Sequence, residues 1–135
     1  MPSSPRVLVV EDDAGIREIV RIRLRSVGYE VETARTGYEG LSKIKTWRPS
    51  AVVLDINMPE LDGFGVLEAL AEAAARTPIL VLTARQAADD VRRAIGLGAK
   101  DYLAKPFSEA QLLARVARLL RPPRAAPAPT PAVLI

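Results

Sequence analysis

Three acids, a hydroxyl and an amine stand where short apolar runs end. Val7-Leu8-Val9-Val10 runs into Glu11-Asp12-Asp13, and Ala51-Val52-Val53-Leu54 runs into Asp55. Ile79-Leu80-Val81-Leu82 runs into Thr83, and Asp101-Tyr102-Leu103-Ala104 runs into Lys105-Pro106. If the runs are parallel strands of one sheet, these side chains share one edge, and that edge is where open α/β sheets bind ligands. Crowded carboxylates repel one another unless a cation is present. Mg2+ suits such a set, because it takes few carboxylates and keeps places for water and phosphate oxygens. A hydroxyl and an ammonium opposite the acids can hold phosphoryl oxygens. An aspartate that closes a buried strand, as Asp55 does, is costly unless the site uses it.

The elements that would position these residues follow from periodicity. The spacing predicts strands over Arg6–Val10, Tyr29–Thr33, Ala51–Ile56, Ile79–Leu82 and Asp101–Ala104. Between them it predicts helices. The first is Ala14–Val27, with Ile16, Ile19, Val20, Leu24 and Val27 on its apolar face and Asp13 as its cap. The second starts at Thr36, where Thr36-Gly37-Tyr38-Glu39 reads as a capping box, and Pro49 stops it. The third is capped by Asp62 and continues to Arg76. The fourth is Ala88–Leu97, with only Val91, Ile95 and Leu97 as large inward residues, and Gly98 ends it. The fifth opens on the capping box Ser108-Glu109-Ala110-Gln111. Alternation of this kind argues a parallel sheet with helices on both faces. The fourth helix has the thinnest apolar face, so it is the one expected to shift.

Composition narrows the chemistry. The 135 residues, 49% hydrophobic and 26% charged, fit one globular domain. Cysteine is absent, which excludes disulfides and zinc thiolate sites and favours a cytoplasmic setting. Histidine is absent too, so the chain holds neither a Ser-His-Asp nor a Cys-His centre and cannot itself carry a phosphohistidine. The formal charge of +3 comes from basic residues scattered over the predicted helices, among them Arg17, Arg21 and Arg25, which reads as solvated helix faces. No apolar run approaches the roughly 18 residues of a membrane span, so no membrane partner is expected. After Arg121 a Pro/Ala-rich stretch begins, so residues 122–135 read as a linker or tail following a domain of residues 1–121. The apolar Ala132-Val133-Leu134-Ile135 at its end fits the first residues of an output domain.

Four motifs now stand in a fixed order: Val-Leu-Val-Val-Glu-Asp-Asp, then Val-Val-Leu-Asp-Ile-Asn-Met-Pro-Glu-Leu-Asp-Gly, then Leu-Thr-Ala, then Gly-Ala-Lys-Asp-Tyr-Leu-Ala-Lys-Pro-Phe. From Arg6 to Arg121 the chain resembles the receiver domain of two-component response regulators. The resemblance implies a doubly wound, flavodoxin-like (βα)5 three-layer sandwich with strand order 2-1-3-4-5. It implies that Asp55 accepts a phosphoryl group from a sensor histidine kinase or a histidine phosphotransfer protein. It makes Asp12, Asp55 and the backbone carbonyl of Asn57 ligands of Mg2+, with Glu11 acting through water. Lys105 and Thr83 would contact the phosphoryl group, the Lys105–Pro106 bond would be cis, and Tyr102 would swing inward when Thr83 moves. Ala84 would keep space beside Asp55, while Asn57 and Arg85 would tune phosphoryl lifetime. The chain would be a switch, not an enzyme, with the fourth helix, fifth strand and fifth helix as its moving face. Gly98-Ala99, Lys105-Pro106-Phe107 and Ala114-Arg115-Val116 resemble the winged-helix transcription-factor branch, which implies nucleic acid as a partner only through an output domain. That branch forms homodimers through charge pairs, and Asp101 with Arg115 supplies one candidate, whereas Lys100, Val91 and Gln111 depart from its pattern. A single-domain phosphorelay receiver is the alternative. A haloacid-dehalogenase-like phosphatase fits less well, since Asn57 stands where that family needs its second acid. A dinucleotide-binding half-domain would need glycines where Glu11-Asp12-Asp13 stand.

Overall fold

The computed structural model describes residues 4–84 and 87–121. Arg85 and the segment 122–135 lie outside the described residues. Five strands, β1 (Arg6–Val10), β2 (Glu30–Ala34), β3 (Ala51–Asp55), β4 (Ile79–Ala84) and β5 (Asp101–Lys105), alternate with five helices. The helices are α1 (Ala14–Ser26), α2 (Gly37–Trp47), α3 (Gly63–Glu72), α4 (Ala88–Gly96) and α5 (Glu109–Leu119). All pairings are parallel and the strand order is 2-1-3-4-5.

Strand pleating divides the core in two. Leu8, Val10, Val52, Leu54 and Val81 pack with Ile44, Phe64, Val66 and Leu67 beneath α2 and α3. Val7, Val9, Val53, Leu80 and Leu82 pack with Val20, Leu24, Leu112 and Val116 beneath α1 and α5. Every residue of β3 is buried, so Asp55 is carried to the sheet edge on a strand with no exposed face. The register sets Asp55 beside Leu82, and Thr83 beside Ala104.

Several boundaries and faces differ from the sequence expectation. β4 and β5 run on through Ala84 and Lys105, because their ladder continues to that pair. Thr83 and Lys105 are thus held in strands rather than in the loops after them. α3 stops at Glu72, not Arg76. Ala74 takes a left-handed φ of 54°, and the Ala75 N–H returns to the Leu70 carbonyl at 2.9 Å. Residues 71–76 are all exposed, so good helix propensity there has no burial to support it. On α4 the buried residue is Ala94, while Ile95 points outward at 44% exposure. Ile19 on α1 and Val27, its C-cap, are likewise exposed. Thr36 accepts the Glu39 N–H at 3.1 Å, but Glu39 reaches back to the Arg35 N–H instead of completing the box. The box at Ser108 and Gln111 is complete, with both bonds present.

α4 is the weakest-held helix by its own chemistry. It has one buried residue and no side-chain cap at its N-terminus. At its far end Gly98 takes φ 112°, and the Ala99 N–H returns to the Ala94 carbonyl at 3.0 Å.

Gly63 ties the fold to the reactive edge. Its N–H donates to the Ile56 carbonyl at 2.8 Å. A Cβ there would lie 2.7 Å from both the Asp55 carbonyl oxygen and Ile56 Cα. These are main-chain atoms and cannot rotate away. Gly63→Ala is therefore expected to lower stability by about 1–3 kcal/mol, read from the urea midpoint. An unchanged midpoint would show that the segment after Asp55 yields freely.

Candidate functional site

β1, β3, β4 and β5 deliver Glu11, Asp55, Thr83 and Lys105 to one edge. Glu11, Asp55 and Thr83 are 0%, 2% and 2% exposed. Asp12 joins them from the exposed loop after β1, and one carboxylate oxygen from each of Glu11, Asp12 and Asp55 lies within 4.8 Å of the others. Asp13 faces away: its Oδ1 accepts the Ile16 N–H at 2.9 Å and caps α1.

One cation faces these acids directly. Lys105 Nζ lies 3.0 Å from Glu11 Oε2 and 3.2 Å from Asp55 Oδ1. Asp55 Oδ1 also accepts the Asn57 N–H at 3.2 Å. Glu11 Oε1 accepts the Asp13 N–H at 3.2 Å. Glu11 Oε2, although within ionic range of Lys105, has no aligned hydrogen-bond donor among the described residues. The Glu11 carboxyl is raised from 4.5 to about 7, by burial most of all and by Asp55 beside it, with Lys105 opposing the rise. Burial would pull the Lys105 ammonium down, but the close contact with Glu11 and the charges of Asp55 and Glu11 outweigh it and hold Lys105 above its ordinary range.

Three carboxylates against one ammonium leave a net negative site. A hard divalent cation fits this donor set. Thr83 is buried with its hydroxyl only weakly engaged, 3.5 Å from the Ala84 carbonyl. The Lys105–Pro106 peptide is cis. Tyr102 is 41% exposed, and the Arg115 guanidinium lies 5.8 Å from its ring centroid. Asp101 meets Arg115 at 3.0 Å and Arg118 at 2.8 Å within the same chain. The residue proposed for a pair between copies therefore already has two internal partners.

Two features escaped the sequence reading. Ile16, Ile19, Pro106 and Phe107 join Asp55, Asn57, Ala84 and Lys105 around a cleft of about 430 Å³. Ile19 looks like a core residue by spacing, yet it belongs to this rim. Arg17, grouped with the solvated cations, donates from Nη1 to the Glu11 carbonyl at 2.9 Å and to the Asp12 carbonyl at 3.3 Å.

Residues 7–117 match the family described as response regulator receiver domain. The chain is 50% identical over 119 residues to the transcriptional regulatory protein PrrA of Mycobacterium leprae, covering 88% of this chain and 51% of that protein. It is 48% identical over 118 residues to the response regulator MprA of Mycobacterium bovis, covering 87% and 51%. The chain thus spans about half the length of these relatives. Among solved structures, chemotaxis protein CheY4 of Vibrio cholerae superposes with a TM-score of 0.82 at 36% identity, covering 87% of this chain and all of that one. The Francisella response regulator 1452 receiver domain gives 0.82 at 33% identity, covering 87% and 97%. Four strand ends that bring acids, a hydroxyl and an ammonium together, on a 2-1-3-4-5 sheet, make this chain a member of the response regulator receiver domain family.

Proposed function

We propose that Asp55 is the phosphoacceptor of this switch domain, charged from a phosphohistidine of a sensor histidine kinase or a histidine phosphotransfer protein. The observation that supports this most is the buried Asp55 carboxylate, held by the Asn57 N–H and Lys105 on one oxygen. That leaves Oδ2 to attack phosphorus in line as the P–N bond breaks and its electron pair returns to the donor imidazole. Lys105 sits where it balances charge on the transferring group. Asp12, Asp55 and the Asn57 carbonyl would hold Mg2+, with Glu11 acting through water, and the ion when bound supplies charge neutralisation at the phosphoryl oxygens. The apolar rim of Ile16, Ile19, Pro106 and Phe107 gives a partner a surface beside Asp55.

Occupancy would be read by Thr83, whose hydroxyl is poorly engaged here and free to turn toward a phosphoryl oxygen. Tyr102, outward in this structure, would then move inward and bias α4, β5 and α5. We take residues 1–121 as the receiver and 122–135 as a linker, with a transcriptional output domain beyond it, as the names of PrrA and its relatives favour. The face formed by α4, β5 and α5 would meet that domain or a second copy. No described helix is long and apolar enough to cross a membrane, and we place the protein in the cytoplasm.

The test is intact-mass measurement after incubation with Mg2+ and a small acyl-phosphate donor. A phosphoryl adduct is expected on the wild type and not on Asp55→Ala. No adduct on either, or an equal adduct on both, would sink the phosphoacceptor reading.

A further inference from the structure

We propose that Arg17 is a positioning residue for the cation site, gripping the loop that presents Asp12. This rests on the reading of Asp12 and Asp55 as ligands of the cation, with Glu11 acting through water. Two of those residues are already fixed without Arg17. Asp55 closes a buried strand, and Glu11 is fully buried, with its N–H on the Ala34 carbonyl at 3.1 Å. Asp12 differs. It is exposed and lies between the end of β1 and the cap residue Asp13. Arg17 reaches from the first turns of α1 to the carbonyls of Glu11 and Asp12, holding both peptide planes of Asp12, the second of which is also held by the Asp13 N–H on Glu11 Oε1. These two carbonyls flank the Asp12 Cα on either side. Fixing them fixes the direction in which the Asp12 carboxylate leaves the chain.

The residue type matters. Both bonds leave one nitrogen, Nη1, whose two N–H groups are fixed in the guanidinium plane, whereas a lysine ammonium carries rotatable donors on a flexible stem and fixes no plane. Removing a group that orients a metal ligand from behind typically costs about 10–100-fold in metal affinity. An opposing effect is present, because Arg17 is a cation near a cation site and its removal favours binding through Coulomb's law. Positioning outweighs that repulsion, and the two effects have opposite signs in the measurement.

The experiment is a Mg2+ titration of the 15N-labelled chain followed by amide shifts, with thermal melts of the Mg2+-free proteins alongside. Arg17→Met is expected to raise the Mg2+ Kd about tenfold while its melting temperature stays close to wild type. Arg17→Lys keeps the charge but replaces the fixed donor plane with rotatable donors on a flexible stem, so its Kd should fall between the two. It also decides the matter if Arg17→Met does not fold. Kd values at or below wild type for these variants would overturn the proposal. Asp12→Ala separates the underlying reading: if it binds Mg2+ like the wild type, the ligand assignment itself is wrong and the proposal falls with it.

Discussion

Lys105→Met is expected to destabilise the Mg2+-free chain at pH 8 by about 3 kcal/mol, the low end for removing one partner of a buried ion pair. Methionine keeps an unbranched stem of similar length, so packing changes little. What changes is charge. Lys105 Nζ is within 3.2 Å of two buried carboxylates, and no other ammonium or guanidinium among the described residues pairs with them. Without it, Glu11 and Asp55 face each other at an edge that burial has already made unfavourable for charge. The loss should shrink at pH 5, because Glu11 takes up a proton in the folded state and one of the two charges disappears. Removing Lys105 also deletes a term that lowers the Glu11 carboxyl, so protonation relieves the variant more than the wild type. Phosphorylation by a small donor should slow by on the order of a hundredfold, as when one charge-stabilising group is removed from a reacting centre. Urea midpoints at pH 5 and pH 8, with adduct formation followed by mass, check both parts. A loss of the same size at both pH values would mean that packing, not charge, is what Lys105 contributes.

The same electrostatics explain what could be read from residues in order and what could not. Buried parallel strands advertise themselves as continuous apolar runs, so the sheet and the identity of the residues ending each strand were legible. Asp55 and Glu11 stood out because an acid after such a run has no cheap structural use. Boundaries were less legible where tertiary pairing decides them. Thr83 and Lys105 are strand residues only because the β4–β5 ladder continues past the apolar core. Ala73-Ala74-Ala75 has helical propensity, but nothing covers it, and α3 ends first. Ile19 and Ile95 show the limit of periodicity: an apolar residue at helical spacing marks a face, and only the neighbours determine whether that face is core or exposed rim. Arg17 was invisible for another reason. Its partners are main-chain carbonyls, which every residue carries and no spacing reveals.

Stability of the Mg2+-free wild type is expected to fall as pH rises from about 5 to about 8. Glu11 has an ordinary value of 4.5 and a folded value of about 7. Between these the folded chain binds a proton that the unfolded chain has released, so the slope of stability with pH is negative. The stabilisation is fully present below the unfolded value and is lost as pH passes through the folded one. Across that window this one group accounts for on the order of 3 kcal/mol, since each pH unit is worth about 1.4 kcal/mol. The Lys105 shift does not interfere, because its raised value places its own loss of stability at pH above the ordinary lysine range. Most domains gain stability from carboxylates as acid is removed, so the predicted sign runs against the common pattern. Mg2+ should reverse it. A divalent cation favours the ionised acids, and binding only the folded state stabilises by mass action. The increment should therefore be large at pH 8 and small at pH 5, where a proton already occupies Glu11. Glu11→Gln should flatten the metal-free profile. Urea unfolding in chelator at pH 5, 6, 7 and 8, repeated with Mg2+, measures the whole surface. Metal-free stability that rises over this range would show that Glu11 stays ionised in the folded chain, and that the acid edge keeps its full charge even before a cation arrives.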